Sequence, residues 1–306
     1  MYAAPKVIPT SVHATVPKEL QLDGEESRFT RELFHGRKIG SFLEGPSFDR
    51  DGNLYMVDIA HGRIFRLTPG GDWQVVTKYE GAPNGLKLHK DGRLFVADRF
   101  NGIMIVDPVN GKVERLLGPD ELPGFKGPND LFFASNGDLY FTDQGATGLH
   151  DPTGRVFRYS AKGDIACLID NVPSPNGLVM NPEESELYIA VTRENSVWRM
   201  PFQADGTPHR VGMFVRLAGG WGPDGMAVDR DGNVLVCHAG FACLWLVGAN
   251  GIPTHKVEAC DGGPMTTNVA YGGPEGKTIF ITNSFSDNVL KAEMPVAGET
   301  MFGLMR

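Results

Sequence analysis

A chain of 306 residues with 41% hydrophobic and 22% charged side chains can build a large core, and its 39 glycines and 21 prolines favour a turn-rich, all-β architecture over a helical one. A formal charge of -8 with no basic run excludes nucleic acid and anionic membrane surfaces as partners. The longest apolar stretches, such as residues 234–237, are far too short to span a bilayer.

Residues 1–40 read as a leader. Its first part mixes Pro5, Pro9 and Pro17 with Lys6, His13 and Lys18 and lacks the apolar run of a secretory signal, so a cytoplasmic location is expected. Only residues 17–31 carry a weak, polar helical pattern. Cys167, Cys237, Cys243 and Cys260 have neither CxxC spacing nor the density of a disulfide scaffold and are expected to be buried free thiols.

Beyond the leader one phrase occurs six times, an acidic or polar turn followed by two alternating apolar strands, over residues 48–68, 89–108, 134–144 with 154–160, 181–201, 229–248 and 274–293. Its strand leucine or equivalent falls at Leu54, Leu94, Leu139, Leu187, Val234 and Ile279, intervals of 40, 45, 48, 47 and 45 residues. That period, with Asp-Gly or Asn-Gly turns and β-branched alternation, predicts a six-bladed β-propeller over residues 1–306. Segments 109–127, 144–153 and 202–219 are read as longer loops on blades two to four, and residues 30–38 as the part of the leader that pairs with the last blade to close the ring.

Ten or eleven residues before each strand leucine stands one polar residue: Glu44, Asn84, Asn129, Asn176, Asp224 and Asn268. These residues are read as lying in turns just before the innermost strands, and residues at one such phase converge on one mouth of the channel. Carboxylates and amides are the oxygen donors that hard divalent cations prefer. Turn chemistry is the competing explanation, because Asn and Asp before Gly tolerate left-handed backbone, but it accounts poorly for Glu44. A second set, Asp58, Asp98 and Asp143, lies at strand ends and is expected to accept backbone N–H groups. The eight histidines show no zinc spacing, and no GxSxG elbow, P-loop or dinucleotide fingerprint is present.

The phrases LEGPSFDRDGNLYMVD, GPNDLFFASNGDLYFTD, PNGLVM, GPDGMAVDRDGN and TTNVAYGGPEGKTIFIT, in that order, resemble the senescence marker protein, gluconolactonase and luciferin-regenerating enzyme family, including its bacterial lactonase branch, from about Phe42 to Glu293. The resemblance implies a divalent metal held by Glu44, Asn176 and Asp224, with Asn129 on metal-bound water or substrate, Asp224 as general base and Asp130 as a substrate contact. One departure stands out: Gly127 occupies the place where animal members carry an arginine that holds a sugar lactone, which argues against their aldonolactone preference. The implied ion is Ca²⁺ first, then Mn²⁺, Mg²⁺ or Zn²⁺, and the implied reaction is hydrolysis of a small lactone by metal-activated water. Asn84 and His150 are placed at the mouth as substrate contacts, with loops 119–126 and 145–153, carrying Phe125, Leu149 and His150, walling it. Phosphotriester or fluorophosphate hydrolysis at the same ion is the enzymatic rival, and a non-catalytic binding propeller the other.

Overall fold

The computed structural model describes residues 3–305. Six sheets surround one axis as the blades of a propeller, each running from an innermost strand outward. The innermost strands are Leu43–Phe48, Pro83–Leu88, Pro128–Phe133, Pro175–Met180, Gly222–Val228 and Thr266–Gly272. The strand leucines begin the second strands, such as Leu54–Asp58 and Leu94–Asp98, and these are almost wholly buried because blades cover both faces. Clusters of apolar side chains fill the wedges between blades. One unites Leu187, Ile189 and Val197 with Val234, Val236 and Val247, joining blades four and five.

Two of the segments expected to be long loops contain the outermost strands of their blades, Val113–Leu117 and Gly212–Arg216. Outer strands are half exposed and short, so they carry little apolar alternation to read. Segment 144–153 is a loop, with one isolated bridge between Gly148 and Asp151.

The ring closes differently from the expectation for residues 30–38. Ser11–Thr15 pairs antiparallel with Asn288–Glu293 as the outer strand of blade six, and Lys6–Pro9 pairs parallel with Pro253–Glu258 at the edge of blade five. Residues 28–34 instead form the short helix α1 (Arg28–Phe34), opened by a Ser27/Thr30 capping box and ended by His35 in the left-handed region. The weak helical pattern over residues 17–31 therefore corresponds to a 3-10 turn at Lys18–Leu20 and to the start of this helix. Cys237 and Cys243 are buried free thiols as expected, whereas Cys167 and Cys260 are exposed, because both lie at the rim of the molecule on or beside outermost strands. Among the described residues no helix is long and apolar enough to cross a membrane.

At one end of the channel the C-terminal segment lies across the inner strands. Gly298 packs on Tyr271, the Glu299 N–H donates to Val228, Phe302 stacks on Phe133 at 5.2 Å, and Arg50 donates to the Met305 carbonyl.

The strand-end aspartates do accept backbone N–H groups, and they do so where the chain enters an inner strand. Asp58 takes the Phe42 N–H at 2.8 Å and Asp143 the Gly127 N–H at 2.7 Å, each two residues before a ring residue, Glu44 or Asn129. Asp58 is also paired with buried Arg63 at 2.6 Å. Asp58→Ala would leave that guanidinium buried without its carboxylate, and urea unfolding should show a loss of about 3–5 kcal/mol. A loss near zero would mean that Arg63 is satisfied by the Leu20 carbonyl alone.

Candidate functional site

The polar ring lies inside the innermost strands, at their second or third residue, and not in turns that precede them. Each inner strand carries a bulge there, seen as register breaks such as Glu44/Ser47, Pro128/Leu131, Pro175/Leu178 and Pro223/Met226. A bulge re-aims side chains and increases twist, which turns this position toward the axis. Turn chemistry is therefore not the reason for Asn-Gly and Asp-Gly at this phase. A Cβ on Gly85 would stand 2.3 Å from Asp130, one on Gly177 2.5 Å from the Asp224 carbonyl, and one on Gly225 2.2 Å from Asn268. The glycines let neighbouring inner strands approach one another at the axis.

Hydroxyl groups fix the ring from the adjacent blade. Thr142 donates to the Asn176 carbonyl at 2.9 Å, Thr192 to the Pro223 carbonyl at 2.8 Å, and Ser284 to the Leu43 carbonyl at 2.6 Å. Each bond ties the second strand of one blade, or the turn just after it, to the backbone at or beside a ring residue of the next.

Glu44, Asn84, Asn129, Asn176 and Asp224 all line one cavity of about 1110 Å³ at the open end of the channel, and His150 and Leu149 line it as well. Phe125 does not; it packs in the apolar cluster between blades two and three. Asp130 and Asn268 lie beneath the cavity floor. The Asn268 amide donates to Glu44 at 2.8 Å and to Asp130 at 3.2 Å, and Lys87 approaches Asp130 at 3.9 Å. Asp130 is 3% exposed and absent from the lining, so it reaches the cavity only through Asn268 and Glu44, not by direct contact with a substrate as expected.

Three carboxylates in one enclosed space repel one another. Burial, then the charges of Asp224 and Asp130, hold Glu44 well above the usual carboxylate range. Burial, then Asp130, push Asp224 up to about 7, against the opposing pull of Asn176 and Arg193. Asp130 is raised by burial despite Lys87 and Asn268. Asn129 donates its amide N–H to Gln144 at 2.8 Å, and Gln144 donates on to Ser174 at 3.0 Å. Among the described residues no donor reaches the Asn129 side-chain oxygen, which stays available as an acceptor. Among the described residues no three His, Cys, Asp or Glu side chains form a ready-made cage; what faces the cavity is two carboxylates with amides between them.

Sequence reasoning missed a second ring. Five residues after each strand leucine stand Ile59, Arg99, Gln144, Thr192, Ala239 and Ser284, and the first five line the cavity. Their shared phase was a usable signal, hidden because their chemistry does not repeat. Arg193 and Trp221 also line the cavity, as do Phe29, Leu33 and Phe34 of α1, and none of these occupies a repeated position.

The sequence model of the SMP-30/Gluconolactonase/LRE-like region matches residues 42–285. A gluconolactonase of Zymomonas mobilis is 29% identical over 290 residues, covering 83% of this chain and 79% of that protein. Lactonase drp35 of Staphylococcus aureus is 28% identical over 232 residues, covering 72% and 70%. The calcium-binding protein regucalcin from Agrobacterium tumefaciens superposes with a TM-score of 0.77 at 20% identity over 97% of this chain and 98% of that one, a likeness of fold.

Proposed function

Because the chain belongs to the SMP-30/gluconolactonase/LRE-like family, we propose that it hydrolyses a lactone: water adds to the acyl carbon, the ring C–O bond breaks, and a hydroxy acid leaves. The observation that carries this reading is the cavity floor, where the Asp224 and Glu44 carboxylates and the Asn129 and Asn176 amides face one space. Asp224 accepts a proton from the attacking water and returns it to the departing ring oxygen, so no net proton is lost to the site. The fixed amides of Asn129 and Asn176 orient the reacting groups, while Asn268, which also donates to Asp130, holds Glu44 from below.

The donor set suits a divalent cation. Glu44 and Asp224 supply negative charge that has no cationic partner within 4.0 Å among the described residues, and Asn129 and Asn176 supply amide oxygens, all hard ligands of the kind Ca²⁺, Mg²⁺ and Mn²⁺ take. Such an ion, held by these four residues, would polarise the acyl carbonyl and lower the cost of charge developing on its oxygen.

The test is hydrolysis of γ- and δ-lactones followed by pH-stat, with the protein stripped by chelator and resupplied with Ca²⁺, Mn²⁺, Mg²⁺ or Zn²⁺. Loss and recovery of rate are expected. Absence of lactone turnover with every ion, alongside turnover of a phosphotriester, would replace this reading with phosphotriester chemistry at the same floor.

A further inference from the structure

The cavity lining is divided by chemistry. Part of it is an aromatic wall: Phe29 and Phe34 of α1 and Phe42 at the entry to blade one form a triangle with ring centroids 5.6 to 5.9 Å apart. Phe285 backs the triangle at 5.6 Å from Phe42 and 5.9 Å from Phe34, and Trp221 extends it, 6.4 Å from Phe285. The wall is moored. Arg28 stacks 3.8 Å over Phe100 of blade two, and Arg37 stacks 5.2 Å over Phe285 of blade six. The phenylalanine rings offer π faces and no hydrogen-bond partners, and the wall's one polar group is the Trp221 indole N–H, so apolar surface of a ligand is matched there better than a dense set of hydroxyl groups.

The blade-three side differs. Loop 144–150 is flanked by two guanidinium groups that also line the cavity, Arg99 and Arg193. Arg99 donates to the Gly145 carbonyl at 3.1 Å, and the Arg193 stem packs beside Gly148. Among the described residues neither has a carboxylate within 4.0 Å. Arg99 can lie there because position 127 has no side chain: a Cβ on Gly127 would stand 2.7 Å from the Arg99 carbonyl and 3.1 Å from its Cγ. The glycine that departs from the animal pattern makes room for an arginine from the neighbouring blade. A partly buried guanidinium such as Arg99, with exposed Arg193 beside it and no carboxylate within 4.0 Å of either among the described residues, is suited to receive a carboxylate, which guanidinium groups bind in charge-assisted, bidentate fashion.

We infer that the substrate is an amphipathic lactone, with an aryl or branched alkyl body against the Phe29, Phe34, Phe42 and Trp221 wall and a carboxylate facing Arg99 and Arg193. This rests on the lactone-hydrolase reading for its chemistry and adds the recognition that selects the molecule. Arg99 is the specificity-determining residue of the pair, since the loop carbonyl and Gly127 fix its position, and Arg193 is its more exposed companion.

The experiment has two arms on the full chain loaded with divalent cation. The first compares kcat/KM for a γ-phenyl lactone bearing a ring carboxylate, its neutral carboxamide and glucono-δ-lactone. The second titrates 4-phenylbutyrate and 4-phenylbutyramide by calorimetry, which needs no turnover. We expect the acid to exceed the carboxamide by at least about tenfold in both arms, and Arg99→Met to bring that ratio close to one through KM, with Arg99→Lys keeping part of it. A ratio within one variant is unaffected by partial misfolding. Equal handling of acid and carboxamide by the unmodified protein, or superior turnover of glucono-δ-lactone, overturns the inference and leaves lactone hydrolysis standing. Arg99-dependent binding of phenylbutyrate without hydrolysis of any lactone upholds the recognition and removes the hydrolase reading.

Discussion

Asp224→Asn should lower kcat for lactone opening by about 10²- to 10⁴-fold, the range a general base contributes, while leaving the propeller folded. Asn has the size of Asp and keeps an oxygen to accept from Asn176, so the floor keeps its shape; the change removes one of the repelling charges at the cost of only the distant attraction of Arg193. Circular dichroism should therefore be unchanged and the melting temperature equal or higher. Cation content, measured by atomic emission on the same sample, separates two causes of a low rate: full occupancy with lost turnover assigns the proton transfer to Asp224, whereas lost occupancy assigns it a ligand role first. Turnover equal to that of the unmodified protein would remove Asp224 from the mechanism altogether.

The second large effect is on stability. Glu44, Asp224 and Asp130 all have their proton affinity raised by folding. In the unfolded chain they titrate near pH 4. Between that value and about 7 the folded protein holds more protons than the unfolded one, so the cation-free protein loses stability as pH rises through this window. Acids whose affinity is lowered, such as Asp91 and Asp261, act in the opposite sense but only below it. His13, His238 and His255, lowered chiefly by burial, oppose the trend within it, and a comparison with Glu44→Gln cancels them. In the absence of cation that variant should melt several degrees above the parent at pH 8 and close to it at pH 4, each 1 kcal/mol corresponding to roughly 2–4 °C for a domain of this order of size. Divalent cation at a hundred times its dissociation constant should stabilise the parent by about 2.7 kcal/mol and the variant by much less. Equal melting of parent and variant at both pH values would show that the carboxylates do not repel through the floor as their burial implies.

Much of this architecture was readable from the sequence because a propeller writes its geometry in phase. The strand leucines fixed the number of blades, and residues ten or eleven positions earlier marked the floor, with Glu44, Asn129, Asn176 and Asp224 brought to one cavity. Asp58 and Asp143 were legible as backbone acceptors. What failed shares one cause: information that is not local. Val113–Leu117 and Gly212–Arg216 are strands because a neighbour pairs with them, not because they alternate. Ser11–Thr15 closes blade six through partners more than 270 residues away. Asp130 matched a substrate role by position, yet its burial follows from the glycine at position 85 in the adjacent blade, whose missing side chain it fills. The aromatic wall came from the leader, where Phe29 and Phe34 carry no repeat to mark them.

The C-terminal segment that lies across the far end of the channel makes the cavity a cul-de-sac. A ligand of the cavity would enter and leave by the end that carries α1, loop 144–150 and Trp221, and would not pass through the ring. If the chain opens lactones as proposed, traffic is sequential, and the product leaves before the next substrate enters. Changes at Leu33, Leu149 or His150, which line the cavity at that end and are exposed, should thus act on arrival and departure together.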